Sequence, residues 1–128
     1  CTYCSAKKEL SPGEMPAIER YQGHRIKSVY DAAVSIGLRF LILSGELGIL
    51  ESGELIPYYD HLLVAPEVPR HAEKVAAQLK RLGVRDIIFF TGALAQDPNL
   101  GPYLECAALA AQKAGVEIKF VELPPAGS

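Results

Sequence analysis

A chain of 128 residues, 49% hydrophobic and 22% charged, has enough apolar material for one compact domain with a core of its own. Its net charge of −2 excludes the strongly basic footprint of non-specific nucleic-acid binders, although Lys7, Lys8, Arg20, Arg25 and Lys27 crowd the first 27 residues. No apolar run nears the ~20 residues that cross a bilayer, and no charged-then-apolar leader opens the chain, so a cytoplasmic location without membrane contact is expected.

Three cysteines cannot all pair with one another, which fits a reducing compartment. Cys1-Thr2-Tyr3-Cys4 has CxxC spacing but no second pair, and Cys106, His24, His61 and His71 do not complete a zinc pattern, so no metal is expected. The chain opens with Cys rather than Met, as if a few residues lay upstream.

In chain order, Tyr3 to Ser5 reads as the end of a first strand, and Ser5 to Gly23 as a polar stretch with at most a short helix around Met15 to Tyr21. From Arg25 to Ile36, residues Ile26, Val29, Tyr30, Ala33 and Val34 recur at helical spacing, with Gly37 as the stop. Leu38 to Leu43 is a continuous apolar run, as expected of a strand covered on both faces. A loop then extends to Asp60. Pro66 to Leu82 reads as a helix with Val68, Ala72, Val75, Ala76, Leu79 and Leu82 inward, stopped by Gly83. Asp86 to Thr91 is a second buried strand. A helix from about Asn99 to Gly115 turns Tyr103, Cys106, Ala107, Ala110 and Ala111 inward, and Val116 to Leu123 is a final strand. The alternation predicts a single α/β domain over residues 1–123, a three-layer Rossmann-like arrangement with a mainly parallel sheet of about four strands. Residues 124–128 read as a flexible tail.

Strand ends at Cys4-Ser5, Ser44-Gly45 and Thr91-Gly92 would share one rim of such a sheet. Ligands of open α/β sheets bind beyond the carboxyl ends of the strands, and glycine there lets a ligand approach the main chain. Gly45-Glu46-Leu47-Gly48 lacks the spacing of a phosphate loop and carries an acid within it. Ser5-Ala6-Lys7-Lys8 is the better anion cup, or else a surface lysine pair. Among Glu46, Glu54 and Asp60, the last is the first choice for an acid/base or electrostatic role, because Pro57-Tyr58-Tyr59 fixes the chain before it and offers rings for stacking. The other reading is an Asp that bonds the loop backbone. Cys4, with lysines nearby, is a candidate nucleophile or a small buried packer.

Two motifs carry a resemblance. Ile42 to Leu50 (ILSGELGIL), followed by Glu54 to Asp60 (ELIPYYD), resembles the "LSG-x-YGLL…I-PY" signature of the YaaA-like peroxide-stress family. It resembles more closely a group of small bacterial proteins with "LSAKYGLL…I-PYD" and an N-terminal "CSKSK", here Cys4-Ser5-Ala6-Lys7-Lys8. A similar order occurs in the core domain of archaeosine synthase, which modifies a deazaguanine base in transfer RNA and has an α/β fold like that of uracil-DNA glycosylases. The family tyrosine before the second glycine is Leu47 here. The resemblance implies a nucleobase- or nucleotide-related crevice.

The expected function is therefore an enzyme on a nucleoside, nucleotide or modified base, at an N-glycosidic or amidine-type centre. Asp60, Ser44 and Cys4 are its expected catalytic residues, and Ser5, Lys7, Gly45, Glu46, Gly48, Tyr58 and Gly92 its substrate-binding ones. No cofactor is identified. The alternatives are a non-enzymatic nucleotide or nucleic-acid binding domain, and a structural or interaction protein that forms a homo-oligomer through Leu62-Leu63-Val64.

Overall fold

The computed structural model describes residues 1–4, 8–10 and 13–124. The chain forms two compact units, Cys1–Leu62 and Leu63–Ser128. Both mix helices with strands, as the sequence predicts for an α/β protein. No helix among the described residues is long and apolar enough to cross a membrane.

The first unit opens with β1 (Thr2–Tyr3), followed by β2 (Met15–Pro16), α1 (Ala17–Arg20) and α2 (His24–Ser35). It continues with β3 (Leu41–Ser44), β4 (Gly48–Glu51) and β5 (Leu55–Ile56). β3 is the hub. All four of its residues are buried, and it pairs in parallel with β1, Thr2 opposite Ile42 and Tyr3 opposite Leu43. On its other side it pairs antiparallel with β4, from Leu41 opposite Glu51 to Ser44 opposite Gly48. β2 and β5 form a separate antiparallel pair.

β4 corrects the sequence reading, in which residues after Ser44 open into a loop. Gly45, Glu46 and Leu47 instead make a tight three-residue turn, and Gly48, at φ +81°, occupies the left-handed position that such hairpins assign to glycine. The helix α2 also departs in part: Ile26 and Val29 are buried, whereas Val34 is exposed. Tyr30 packs edge-on against Phe40 at 5.3 Å.

The second unit contains α3 (Val68–Leu82), β6 (Asp86–Thr91), α4 (Gly101–Ala114) and β7 (Glu117–Glu122). Short 3-10 turns lead into both helices at Ala65–Glu67 and Pro98–Leu100. Gly83 and Gly115 end the helices in left-handed conformation, at φ +69° and +70°. α3 buries Val68, Ala72, Val75, Ala76 and Leu79, and α4 buries Tyr103, Cys106, Ala107, Ala110 and Ala111. These apolar stripes follow the 3.6-residue period and leave the charged residues outside. β6 and β7 pair in parallel through the α4 crossover, Phe89 opposite Phe120. Of the Leu62-Leu63-Val64 run, Leu63 is buried and its N–H donates to the Tyr103 hydroxyl, while Leu62 and Val64 are exposed.

Candidate functional site

Parallel pairing puts the carboxyl ends of β1 and β3 at the same end of the first unit. Cys4 follows directly after β1, and its N–H donates to the Leu43 carbonyl at 2.8 Å, so Cys4 and Ser44 stand side by side at that end. The predicted juxtaposition of these two strand ends is present.

Ser44 is fully buried, and its Oγ has local work: it accepts from the N–H of Leu47 at 2.9 Å and of Glu46 at 3.2 Å, closing the hairpin turn. Oγ also lies 2.6 Å from the Tyr59 hydroxyl. Tyr59 in turn bonds the hydroxyl of Tyr21, whose ring it meets edge-on with centroids 6.4 Å apart. Ser44, Tyr59 and Tyr21 thus form a hydroxyl chain. Tyr21 is fully buried, whereas Tyr59 is half-buried and is the member nearest solvent. The Lys8 ammonium lies over the Tyr59 ring, 4.8 Å from its centroid, and 5.9 Å from that of Tyr21. The main chain holds Lys8 there through an antiparallel bridge to Tyr21.

Burial dominates the acidity of both phenols. It pushes the Tyr21 phenol up to about 12; charge on Cys4 adds to the rise, and the bonds to Tyr59 and Ser44 oppose it. Tyr59 is pushed up as well, by burial first, then by charge on Cys4 and on Tyr21. An unfolded tyrosine ionises near 10, so the folded state holds these protons more tightly. The contribution of Tyr21 to stability is complete below pH 10 and is lost as pH rises through about 12, and the raised Tyr59 phenol acts in the same direction. The expected result is a urea midpoint that falls steeply above pH 10, together with late ionisation of two of the six tyrosines at 295 nm. A midpoint level across that range would show that both phenols are hydrated.

Two arginines from the basic N-terminal segment are engaged inside the unit. Arg25 donates from Nε to Thr2 Oγ1 at 3.0 Å and from Nη2 to the Tyr3 carbonyl at 2.5 Å, and its guanidinium stacks 3.5 Å from the Tyr3 ring centroid. It fastens the end of β1 that presents Cys4. Arg20 is entirely buried; it donates from Nη1 to the Glu9 carbonyl at 2.7 Å and from Nη2 to the carbonyls of Gly13 at 2.5 Å and Ile56 at 3.3 Å. The main-chain carbonyls of three segments converge on Arg20, a position that a guanidinium fork serves.

At the turn itself, exposed Glu46 reaches His61, with Oε2 2.5 Å from Nδ1. A carboxylate on Nδ1 fixes the tautomer and leaves Nε2 able to take or give a proton. The sequence names Glu46 but leaves the place of His61 open. Tyr58 and Asp60 are both exposed, on either side of the inward Tyr59, so of the two tyrosines it is the second that joins the chain. Gly45 and Gly48 are buried in the turn. Ser5 and Lys7 lie outside the described residues, and Gly92, half-buried after β6, belongs to the second unit.

None of the three cysteines forms a disulfide. Cys4 and Cys106 are buried, and burial pushes the Cys106 thiol up to about 12. Among the described residues no group of three or more His, Cys, Asp and Glu could hold a metal ion. Sequence reasoning missed Tyr21 and Arg20, which carry no periodic signal in a stretch broken by prolines and glycines. No protein-family model, curated protein or solved structure matches the chain.

Proposed function

We propose that the chain is an enzyme acting on a nucleoside, nucleotide or modified base, on a Rossmann-like frame, with its substrate seated over the β1 and β3 strand ends. The observation that carries this reading is the Ser44–Tyr59–Tyr21 hydroxyl chain at the carboxyl end of a parallel strand pair, where Ser44 Oγ also accepts from the N–H of Glu46, the partner of His61. Such a rim supplies directional hydrogen bonds for a base edge, an aromatic ring under a cation, and a histidine held by a carboxylate.

In this reading Tyr59 bonds the base edge, and Ser44 acts through it as a positioning residue, since its Oγ is buried and already engaged. His61, oriented by Glu46, gives a proton to the departing base nitrogen, and exposed Asp60 stabilises positive charge developing on the sugar carbon. Cleavage of the N-glycosidic bond by water then balances: the base leaves with the proton from His61, the sugar carbon takes hydroxide from water, and the proton that this water releases restores His61. Cys4, buried directly after β1, has no step in this reaction.

The test is incubation of the protein with purine, pyrimidine and 7-deazapurine nucleosides and their 5′-monophosphates, followed by chromatography of the free base. The expected result is base release from at least one of these classes. Release from none of them overturns the reaction proposed.

A further inference from the structure

β7 is hydrogen-bonded to a strand on one side only among the described residues. It is also unusually uncovered: Phe120 is 42% exposed and Val121 39%. The Glu117 N–H donates to the Arg85 carbonyl at 3.0 Å, and the Leu123 N–H to the Thr91 carbonyl at 2.8 Å. Odd-numbered residues of β7 therefore aim their main-chain groups toward β6, and the period of two aims those of Ile118, Phe120 and Glu122 outward. Unpaired outward N–H and C=O groups on an edge template the addition of another strand.

The charges on this edge say which strand fits. Glu117 and Lys119 lie two residues apart on one face, and Ile118 and Phe120 occupy the other. A second copy of β7, antiparallel and related by a twofold axis at Ile118, places Glu117 opposite the second copy's Lys119, twice by symmetry. Those positions are non-hydrogen-bonded pairs, in which side chains approach most closely. On the opposite face Ile118 meets its symmetry mate, beside the exposed Phe120. The main-chain groups of Ile118 bond their own counterparts, and each Phe120 N–H reaches the partner's Val116 carbonyl. Register, charge and apolar pairing agree in this single arrangement.

We infer that β7 is a self-association edge, through which two copies of this chain join their sheets by antiparallel pairing centred on Ile118. A lysine on an edge ordinarily discourages pairing; here Glu117 converts the same lysine into a selector for the antiparallel copy.

Sedimentation equilibrium over a wide concentration range tests this, with circular dichroism to establish that each variant is folded. The expected result is a monomer–dimer equilibrium for the wild type. K119E, which sets glutamate against glutamate at both positions, should weaken the dimer by about tenfold or more. The double variant E117K/K119E exchanges the charges and should restore wild-type association. A monomer at every concentration overturns the inference. So does a dimer indifferent to K119E, or one that the double variant does not restore.

Discussion

Arg20→Met is expected to destabilise the protein by about 3–5 kcal/mol, more than any other single substitution considered. The side chain is fully buried, and its fork serves the carbonyls of Glu9, Gly13 and Ile56. Methionine fills similar volume but donates nothing, and each buried carbonyl left without a donor costs about 1–3 kcal/mol. Partial hydration of the Glu9 and Gly13 carbonyls offsets some of that sum. Against a typical total of about 5–15 kcal/mol, the loss consumes a large part of the margin. It also reaches the site, because the Glu9 N–H donates to the Arg20 carbonyl at 2.7 Å beside the bridge that holds Lys8 against Tyr21. Arg20→Lys, a single ammonium in place of a fork, should recover only part of the loss. Urea denaturation of the three proteins measures this, and a change below about 1 kcal/mol for Arg20→Met would show that the carbonyls are satisfied without the guanidinium.

His61→Ala is expected to lower kcat for base release by about 10²-fold or more, with little change in KM, since general-acid assistance acts in the transition state. Both His61 and Glu46 are partly exposed, so neither substitution should disturb the fold. Glu46→Gln retains an acceptor for Nδ1 but removes the charge that favours the imidazolium, so its loss should be smaller and accompanied by a shift in the pH–rate profile. An unaltered profile for Glu46→Gln would mean that the pair at 2.5 Å is a surface contact with no part in the reaction. Equal activity of His61→Ala and wild type would move the acid role elsewhere.

What could be read from the sequence follows from how local the determining physics is. The stripe Tyr103, Cys106, Ala107, Ala110 and Ala111 is buried as its spacing predicts, because helix periodicity and a single apolar face are written in consecutive residues. The strand Asp86–Thr91 has the bounds its apolar run predicts, but it is not covered on both faces: Ile87 and Phe89 are buried and Ile88 is exposed. The Cys4 and Ser44 strand ends do share a rim, because a buried strand followed by small polar residues carries its own end signal. The hairpin to β4 was not legible, since Gly45 to Gly48 reads alike as an open loop and as a tight turn until the pairing of Ser44 with Gly48 is known. Arg20 and Tyr21 were hidden for another reason. Their partners lie at Glu9, Gly13, Ile56 and Tyr59, remote in sequence, and no local pattern distinguishes a buried arginine from a solvated one. Among the tyrosines, adjacency left Tyr58 and Tyr59 equivalent, and only the tertiary bond to Ser44 selects the second.

The central claim is that Tyr59, braced by Ser44 and Tyr21, meets a nucleobase at the β1 and β3 strand ends. Calorimetric titration of the protein with the nucleoside panel, wild type beside Tyr59→Phe, tests it most directly. The variant keeps the ring and the packing and removes the one hydroxyl that joins Ser44 to Tyr21. Saturable binding by the wild type that weakens about tenfold in Tyr59→Phe is the predicted result, the value of one good hydrogen bond. Absence of binding across the panel, or equal affinity in the two proteins, would contradict it.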